Sequence, residues 1–356
     1  MYHLIVEWLG RGSAIVDLLL KDYRKAFDLI RHSVAITNLR TMGAHKHILL
    51  LVINFLQARY QCVYRLFLGD TDSKWVELTC RAPQGTKVAS LLFLAEINII
   101  LSGYEERLKY VDDLSVLLKY IVEKSEVVPQ FCNEIINNFK DECTANSRQI
   151  NEGKTKILRF NPLKRDFVCT PPPYPSESLT VVLGVKFSIN CSFGHHANTI
   201  IKKANSAMRT PILMCLFGFS VSQLRIAYLT YIRRILEYAC PVWGPKVKNT
   251  IYLSDQLASI QERAVKVIFC NAFTEYKLAL STLQIPSLQK RRLSLILESD
   301  QYLLRSDKHR LILPPVLVKH RSTRSKNIDR LAAPPSRINR FSDSFISFFV
   351  SKYNHS

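Results

Sequence analysis

The stretch KYVDDLSVLL, residues 109 to 118, places two adjacent aspartates inside a run of apolar, strand-forming residues. Neighbouring side chains of a strand point to opposite faces, so Asp112 and Asp113 cannot both face solvent from a half-buried strand. A buried carboxylate without a partner is costly, and two arrangements avoid that cost: a tight turn with the acids at its tip, or a bound metal ion. The stretch therefore predicts two short strands joined at the acidic pair.

The charge balance restricts the class of partner. The chain has 356 residues, with 49 Lys and Arg against 29 Asp and Glu, which leaves a net charge of +20. An excess of this size favours a polyanionic partner, most often nucleic acid. Ordinary solubility charge is the alternative explanation.

Cysteine usage and hydropathy indicate an intracellular protein, cytoplasmic or nuclear. Nine cysteines are scattered without a C-x-x-C pair, a pattern typical of reduced thiols. Glu7 and Arg11 interrupt the N-terminal apolar stretch, so it lacks the hydrophobic region of a signal peptide. The longest apolar run, residues 48 to 56, is too short to cross a bilayer and predicts a core helix. We therefore expect no secretion, no transmembrane segment and no membrane partner.

Periodicity predicts a mixed first half and a helical second half. In the first half, strands and helices alternate; we predict strands at 14–20, on both sides of the acidic pair and at 154–160, with helices ending near 39 and at 47–58, 88–100 and 125–147. A hairpin with its turn at Gly69 and Asp70 is predicted between residues 60 and 85. Residues 179–188 predict one further strand, and residues up to about 304 are predicted to be helical. The fold class is α+β.

Three carboxylates are expected to converge. Asp22 ends the first predicted strand, and it meets Asp112 and Asp113 if the strands are neighbours in one sheet. Such a cluster cannot stay ionised without cations, and oxygen ligands alone select Mg²⁺ or Mn²⁺. Two such ions about 3.5–4 Å apart catalyse in-line displacement at phosphorus. In a basic protein this indicates phosphoryl transfer on nucleic acid; a solvated β-turn remains the simpler alternative.

The spelling and order of the motifs go further than composition. DYRKAFDLIRHS, APQG followed by LLFLAEIN, and YVDD occur in that order, followed by INEGKTK, VVLGV, ILEYACPVWGP, LASIQERAVKVIF and RFSDSFISFFVSKYN. Together they resemble the reverse transcriptases of non-LTR retrotransposons, the LINE-type elements that include Jockey-like clades. The resemblance extends from about Ser13 to Asn354.

The resemblance implies a right-hand polymerase palm, an antiparallel sheet with packed helices, followed by an all-helical, thumb-like region and a basic tail. The implied boundaries are 1–168 for the palm, 169–178 for a Pro-rich loop, 179–305 for the palm–thumb junction and thumb, and 306–356 for the basic C-terminal extension. The implied activity is RNA-directed DNA synthesis by two-metal nucleotidyl transfer. It uses an RNA template, a DNA primer, deoxynucleotide triphosphates and two Mg²⁺ (or Mn²⁺) ions.

The resemblance also implies a role for each motif residue. Asp22, Asp112 and Asp113 would bind the metal ions, with the carbonyl of Tyr23 assisting. Lys154 would act as the general acid for pyrophosphate. The remaining implied roles concern substrate: Phe27 under the incoming sugar, Gln84 and Gly85 at the template and nascent base pair, and Tyr110 at the primer terminus.

Residues near these motifs are expected to be structural. Asp28 is expected to carry a first-turn helix charge, His32 to have a structural role, and Tyr238 and Trp243 to pack in the core.

Several positions depart from the family pattern. The departures are Lys21 in place of an apolar residue, Arg31 in place of an acid, Arg81 in place of glycine, Ala89-Ser90 in place of Gly-Pro, and Ile99 in place of an aspartate. Only 21 residues precede Asp22, which leaves no room for fingers or an endonuclease. Two alternatives to an active polymerase therefore stay open: a catalytically inactive, truncated or domesticated relic that binds nucleic acid, and a basic helical interaction module.

Overall fold

The structure is a computed structural model that describes most of the chain. The described residues are 1–10, 14–25, 27–63, 73–82, 85–121, 128–146, 148–161, 174–273, 275–305, 310, 313–315, 330–332 and 343–354. They form two compact units. The sheet unit comprises Ser13–Arg159 with Leu163–Glu177, and the helical unit comprises Met1–Gly12, Phe160–Pro162 and Ser178–Ser356. The units cut the chain at different points from the sequence-predicted domains, because the N-terminal helix belongs with the C-terminal half.

The first half of the chain alternates helices and strands. In chain order these are α1 (Tyr2–Gly10), β1 (Ala14–Lys21), α2 (His32–Thr41), α3 (Lys46–Leu56), β2 (Tyr60–Gln61), β3 (Val76–Glu77), α4 (Lys87–Ile99), β4 (Arg107–Tyr110), β5 (Asp113–Ile121), α5 (Val128–Ala145), a 3₁₀ turn (Glu152–Lys154) and β6 (Lys156–Phe160).

The second half is helical apart from one hairpin. It contains β7 (Leu179–Val182), β8 (Val185–Ser188), α6 (Gly194–Ala207), α7 (Arg209–Leu216), α8 (Val221–Ala227), a π-helical segment (Tyr228–Arg233), α9 (Arg234–Glu237), α10 (Cys240–Lys248), α11 (Ile251–Phe269), a 3₁₀ turn (Cys270–Ala272), α12 (Tyr276–Thr282), α13 (Leu288–Arg305) and α14 (Phe345–Tyr353).

The sheet unit is organised around β1. Its four-stranded sheet has the order β4-β5-β1-β6, and β1 runs antiparallel to β5 with Leu18 opposite Leu117 and Lys21 opposite Leu114. Nearly every residue of β1 is buried, which its continuous apolar run predicts. Ile15 and Leu19 share a hydrophobic core with residues of α2, α3, α4 and α5. The predicted strands and most of the predicted helices of this half are confirmed within a few residues.

Burial of β1 obliges its one acid to find a partner inside the protein. Asp17 is fully buried, and Arg159 of β6 donates to both of its carboxylate oxygens, from Nε at 2.8 Å and from an Nη at 2.7 Å. A second buried ion pair joins Arg148 to Glu96 of α4, with both side chains almost inaccessible. These pairs satisfy charges that the core would otherwise leave unpaired.

The helical unit packs around Trp243. Its ring is fully buried, it meets the His196 ring edge-on at 5.7 Å, and its indole nitrogen donates to the carbonyl of Tyr238 at 2.8 Å. The prediction that Trp243 is core is confirmed. The same prediction for Tyr238 is wrong: α9 ends at Glu237, Ala239 takes a φ of +51°, and this break turns the Tyr238 ring outward, leaving it 54% exposed.

Three further expectations need correction. Residues 179–188 form a hairpin instead of one strand, because Leu183 and Gly184 both take positive φ and reverse the chain. The run predicted as a core helix buries only one side of α3, and Leu50, Leu51 and Ile48 are exposed. The helix after β1 begins at His32, with turns before it. The predicted hairpin turn at Gly69 and Asp70 lies outside the described residues.

The cysteines depart from the expectation of free thiols at one pair. A disulfide joins Cys215 to Cys270 in the helical unit. Among the other described cysteines, Cys143, Cys191 and Cys240 are buried thiols.

The hydropathy of the helices bears on the prediction that the chain has no transmembrane segment. Within the described part of the chain, no helix combines the length and the apolar composition needed to span a bilayer.

Removing the partner of Asp17 should destabilise the sheet unit strongly. We expect Arg159→Ala to lower the free energy of unfolding by about 3–5 kcal/mol, since it leaves a carboxylate buried without a counter-charge. Lys156→Ala is the matched control, because Lys156 and Glu177 form a half-exposed pair at 2.9 Å that contributes at most about 1 kcal/mol. Urea unfolding of both variants measures the difference, and equal losses would contradict the argument.

Candidate active site

The three predicted acids lie at the end of the β1–β5 pairing. Lys21 is opposite Leu114, so continuing the register by one residue sets Asp22 beside Asp113. Asp113 begins β5 and pairs with Tyr110 at the end of β4, and Asp112 occupies the two-residue turn between these strands with Val111. The sheet thus brings together residues that are ninety positions apart (112 minus 22).

Asp22 is held by the turn that precedes β6. The Asn151 side-chain amide donates to Asp22 Oδ2 at 3.1 Å, and the Asn151 backbone N–H donates to the Asp22 carbonyl at 3.0 Å. Lys154, in the 3₁₀ turn, places its Nζ 3.3 Å from the same Oδ2. The Asp22 side chain is 22% exposed and that of Lys154 is 70% exposed, so the ammonium stands on the solvent side of the carboxylate.

Mutual repulsion of the acids appears in the titration of Asp113. Partial burial, and then the negative charges of Asp112 and Asp22, raise the pKa of the Asp113 carboxyl, while Lys154 acts in the opposite direction. One ammonium therefore does not offset three carboxylates. The site has a deficit of positive charge.

The donor chemistry fits hard divalent cations. The acids supply only oxygen ligands, and their repulsion is what a bound cation would relieve. In the described residues, however, no three acidic, histidine or cysteine side chains lie close enough together to hold a metal ion as they stand. Asp22, Asp112 and Asp113 are the residues at this strand end that would supply the oxygen ligands.

The turn that carries Asp112 has a strained backbone. Val111 has a φ of +51°, in the left-handed region that β-branched residues rarely adopt. This conformation closes the hairpin in two residues, so that Tyr110 and Asp113 are cross-strand neighbours. Tyr110 is 63% exposed at this edge.

A cleft beside Phe27 contains two of the predicted substrate residues, Phe27 and Gly85. The cleft has a volume of about 440 Å³, and its other lining residues are Thr86, Lys87, Ala89 and Ser90 at the start of α4. Phe27 is half-buried, and its ring lies 4.8 Å from that of Phe93. Gly85 has a φ of +82°, and nothing lies within 4 Å of the place where a Cβ would be. Gln84 lies outside the described residues.

Tyr23 links the site to the core. Its backbone bridges to Ile150, and its buried ring meets Phe93 edge-on at 6.4 Å and Phe139 at 5.9 Å. Burial raises the pKa of the Tyr23 phenol far above its usual range, so the side chain is a neutral core group. Only its backbone is available to the site.

Two residues of the site were missed by sequence reasoning. Asn151 lies in the INEGKTK motif, but its bond to Asp22 depends on a contact between residues 129 positions apart. Lys87 lies two positions after the APQG motif and lines the Phe27 cleft at the N-terminus of α4. Their positions inside or next to these motifs were the sequence signal that could have identified them as site residues.

Comparison with known families agrees with this geometry. Residues 17–229 match the family model described as reverse transcriptase (RNA-dependent DNA polymerase). The chain belongs to this family. The match covers 213 of 356 residues (229 minus 17, plus 1), and it includes all the acids, the Phe27 cleft and Lys154. A search of curated proteins finds no match.

Membership identifies the sheet unit as a polymerase palm, and the departures from the reverse transcriptase pattern can be located in it. Lys21 is buried, and its ammonium lies 3.4 Å from the centre of the Phe139 ring, a cation–π contact that accommodates it beside Asp22. Ala89 and Ser90 lie in the first turn of α4, where Ala89 N–H donates to the Thr86 hydroxyl at 3.2 Å. Ile99 is the last residue of α4, and Arg31 precedes α2.

Arg81 shows why glycine is usual at its position in this reverse transcriptase pattern. It has a φ of +82°, which strains any residue with a Cβ. In compensation, its guanidinium donates to Asp28 at 2.8 Å and to Gln61 at 2.9 Å. The Arg81 carbonyl lies 3.0 Å from His32 Nε2. This contact gives His32 the structural role that the sequence predicted. Asp28 precedes α2, so its carboxylate serves Arg81 instead of a helix dipole.

Substitution of Arg81 should separate backbone strain from the ion pair. We expect Arg81→Ala to be less stable than Arg81→Gly by about 1 kcal/mol, because both lose the pair to Asp28 and only alanine keeps the strain of the positive φ. Thermal unfolding of the two variants measures this difference. An alanine variant as stable as the glycine variant would show that the left-handed backbone is not maintained.

Proposed function

We propose that this chain is an RNA-directed DNA polymerase of the non-LTR retrotransposon type that acts by two-metal nucleotidyl transfer. One observation carries the proposal: the β1–β5 register sets Asp22 beside Asp113, with Asp112 in the adjoining turn and Lys154 at 3.3 Å from Asp22. A charge-deficient cluster of carboxylates in a polymerase palm is suited to holding divalent cations. The non-LTR assignment rests on the order of motifs, including those beyond residue 229.

The acids are the proposed metal ligands. Asp22, Asp112 and Asp113, with the carbonyl of Tyr23, would hold two Mg²⁺ (or Mn²⁺) ions, which when bound activate the attacking hydroxyl and stabilise the leaving pyrophosphate. Asn151 orients Asp22 through its amide, so that one carboxylate oxygen keeps a fixed direction. Because the pKa of Asp113 is raised, a proton on this carboxyl would compete with the cation at low pH.

Lys154 is the proposed proton donor. The Lys154 side chain is mostly exposed, and its ammonium pairs with Asp22 in the part of the chain that the structure describes. It can therefore leave the carboxylate when a cation binds, and carry its proton to the pyrophosphate oxygen that leaves. The salt bridge of Lys140 to Glu152 at 3.2 Å ties the 3₁₀ turn to α5 and fixes the base of this side chain.

The Phe27 cleft is the proposed site of the incoming deoxynucleotide. The Phe27 ring would lie under the sugar and exclude a 2′-hydroxyl by bulk. Lys87 and the N-terminal end of α4 supply positive charge for phosphate. Gly85, with open space at its Cα, lets a base pair approach the backbone, and Gln84 and Tyr110 keep their proposed places at the template and the primer terminus.

The partners and domains follow from the same proposal. The partners are an RNA template, a DNA primer and deoxynucleotide triphosphates, and the proposed domains keep the boundaries 1–168, 169–178, 179–305 and 306–356. Residues 178–236, all described, contain seven Lys and Arg and no Asp or Glu. This composition is suited to contact with a nucleic-acid backbone.

The same basic stretch favours a second candidate function, nucleic-acid binding without catalysis. In that case Lys154 would remain on Asp22 as a permanent counter-ion, which agrees with the absence of a ready-made metal cluster among the described residues.

Neutralising Asp113 should abolish activity and relieve repulsion. We expect Asp113→Asn to lose primer extension on poly(rA)/oligo(dT) with Mg²⁺, while its stability in EDTA at neutral pH rises by about 0.5 kcal/mol. The stability rises because the pKa of Asp113 is raised in the folded state, which means that ionised Asp113 destabilises the metal-free fold at neutral pH. In the wild-type chain that stability is regained as the pH falls through the folded-state pKa.

The control for this experiment is Asp141→Asn, which removes an exposed carboxylate of α5 away from the cluster. It should leave extension and Mg²⁺-dependent stabilisation unchanged, whereas Asp113→Asn should lose both. Wild-type protein that binds the template–primer without extending it would support the second candidate. Equal extension by wild type and Asp113→Asn would overturn the catalytic assignment.

Shortening Phe27 should relax sugar selection. We expect Phe27→Ala to raise incorporation of ribonucleotides relative to deoxynucleotides by at least about tenfold, because the bulk that would meet a 2′-hydroxyl is removed. Phe55→Ala in α3 is the matched control, since Phe55 lies outside the cleft lining. Single-nucleotide extension with each triphosphate measures the ratio, and an unchanged ratio would show that Phe27 is only a core aromatic.

A further inference from the structure

The helical unit contains a pocket that the proposed polymerase chemistry does not use. It has a volume of about 270 Å³ and lies between α10, α11, α13 and α14. All its lining residues are numbered from 244 to 348, beyond the end of the reverse transcriptase match at residue 229. The function of this pocket is therefore not given by the family.

The lining of the pocket is positively charged. Lys248, Lys290 and Arg292 line it, and no Asp or Glu is among the described lining residues. Two hydroxyls, of Ser254 and Ser287, stand on the same walls. Ser287 precedes the 18-residue helix α13, whose N-terminal end adds a partial positive charge at this wall.

Arg292 is the observation that indicates a ligand. Its residue is only 8% exposed, and its buried Nε has no hydrogen-bond partner in the described structure. Its guanidinium lies 5.6 Å from the Trp243 ring centre. The carboxylate that acts on it is Glu237, which also faces Arg233 at 3.3 Å and Arg291 at 3.6 Å. Three arginines thus share Glu237, of which Arg291 also pairs with Glu298 at 3.2 Å, and the buried Nε of Arg292 in the pocket lining is left for an anion.

The rest of the lining is mostly apolar, with Gln289 as its one amide among the described lining residues. Pro245, Leu293, Ile296 and Phe348 form the apolar part, and the ammonium of Lys248 lies 5.5 Å from the centre of the Phe348 ring. A ligand that fits this lining carries an anionic group together with an apolar part.

We propose that this pocket binds a single nucleotide unit, with its phosphate on Arg292, Lys248 and Lys290 and its base against the apolar wall. The volume suits one base with its phosphate and is too small for a folded peptide segment. The chain carries a net charge of +20 and belongs to a family that acts on nucleic acid, which favours a nucleotide over an acidic peptide. The unit is either a free nucleotide or the 5′-phosphorylated end of a strand.

Thiol protection tests the location. In the full chain carrying Ser254→Cys, AMP should protect the introduced thiol from iodoacetamide, as measured by mass spectrometry of the peptide, and adenosine should not. A 5′-phosphorylated oligonucleotide that protects at lower concentration than AMP would assign the strand end as the source, and the reverse order would assign the free nucleotide.

Charge reversal tests the chemistry. We expect Lys248→Glu/Lys290→Glu to weaken AMP binding by at least about tenfold, because two phosphate-facing cations become anions. Lys277→Glu, in an exposed lysine of α12 that does not line the pocket, should change it by less than about twofold. If the double variant fails to fold, the protection experiment still decides, since it keeps every native charge.

Several outcomes would overturn the proposal. They are equal protection by AMP and adenosine, no protection at all, equal AMP affinity in the double variant and the Lys277→Glu control, and protection by an acidic peptide but not by AMP. The Asp113→Asn chain should bind AMP at this pocket with unchanged affinity. Failure of the polymerase assignment and failure of this proposal are therefore separate results.

Discussion

The antiparallel pairing of β1 with β5 is the constraint on which the rest of the sheet unit depends. It buries β1 on both faces, and it ends where Asp22 and Asp113 become neighbours. The hydrophobic free energy of the central strand thereby forces two like charges together at its end. Two polar groups offset that repulsion at Asp22, namely the ammonium of Lys154 and the amide of Asn151.

Charged residues inside the sheet unit are each compensated locally. Asp17 takes both donors of Arg159, Glu96 pairs with Arg148, and Lys21 rests on the Phe139 ring. These arrangements offset desolvation more than they add net stability, since a buried pair gains little over an apolar pair of the same shape. Their consequence for function is that the strand ends carrying the acids have fixed positions.

Two of the strained backbone positions lie beside the site. Val111 closes the acidic hairpin with a positive φ, and Arg81 does the same in the segment that leads to Gly85. At Arg81 the cost is partly recovered through Asp28 and Gln61, an ion pair and a hydrogen bond that glycine would not make. Strained residues of this kind persist where neighbouring structure determines them, and here both flank groups proposed to touch substrate or metal.

Local pattern determined the elements that carry the site. The apolar run of β1, the strand pair around Asp112 and the helical periods of α3, α4 and α5 follow from side-chain spacing, which depends only on neighbours in sequence. The same is true of the ordered motifs that indicate the family. It is not true of Tyr238: the left-handed Ala239 that turns this ring outward has no signal in its residue type. Nor is it true of the 179–188 hairpin, since side-chain spacing predicts one strand there; only the resemblance of VVLGV to the family's Leu-Gly turn indicated the reversal.

The sequence by itself therefore determined most of the secondary structure of the sheet unit and the membership of the reverse transcriptase family. Only the tertiary structure decided that Asn151 and Lys154 hold Asp22, that Asp17 pairs with Arg159, and that Arg292 is buried beside a pocket whose described lining contains no carboxylate. The physical reason is that each of these contacts depends on the electrostatic free energy of a charged side chain. That free energy is set by burial and by partners that are distant in sequence, so the spacing of neighbouring residues does not predict it.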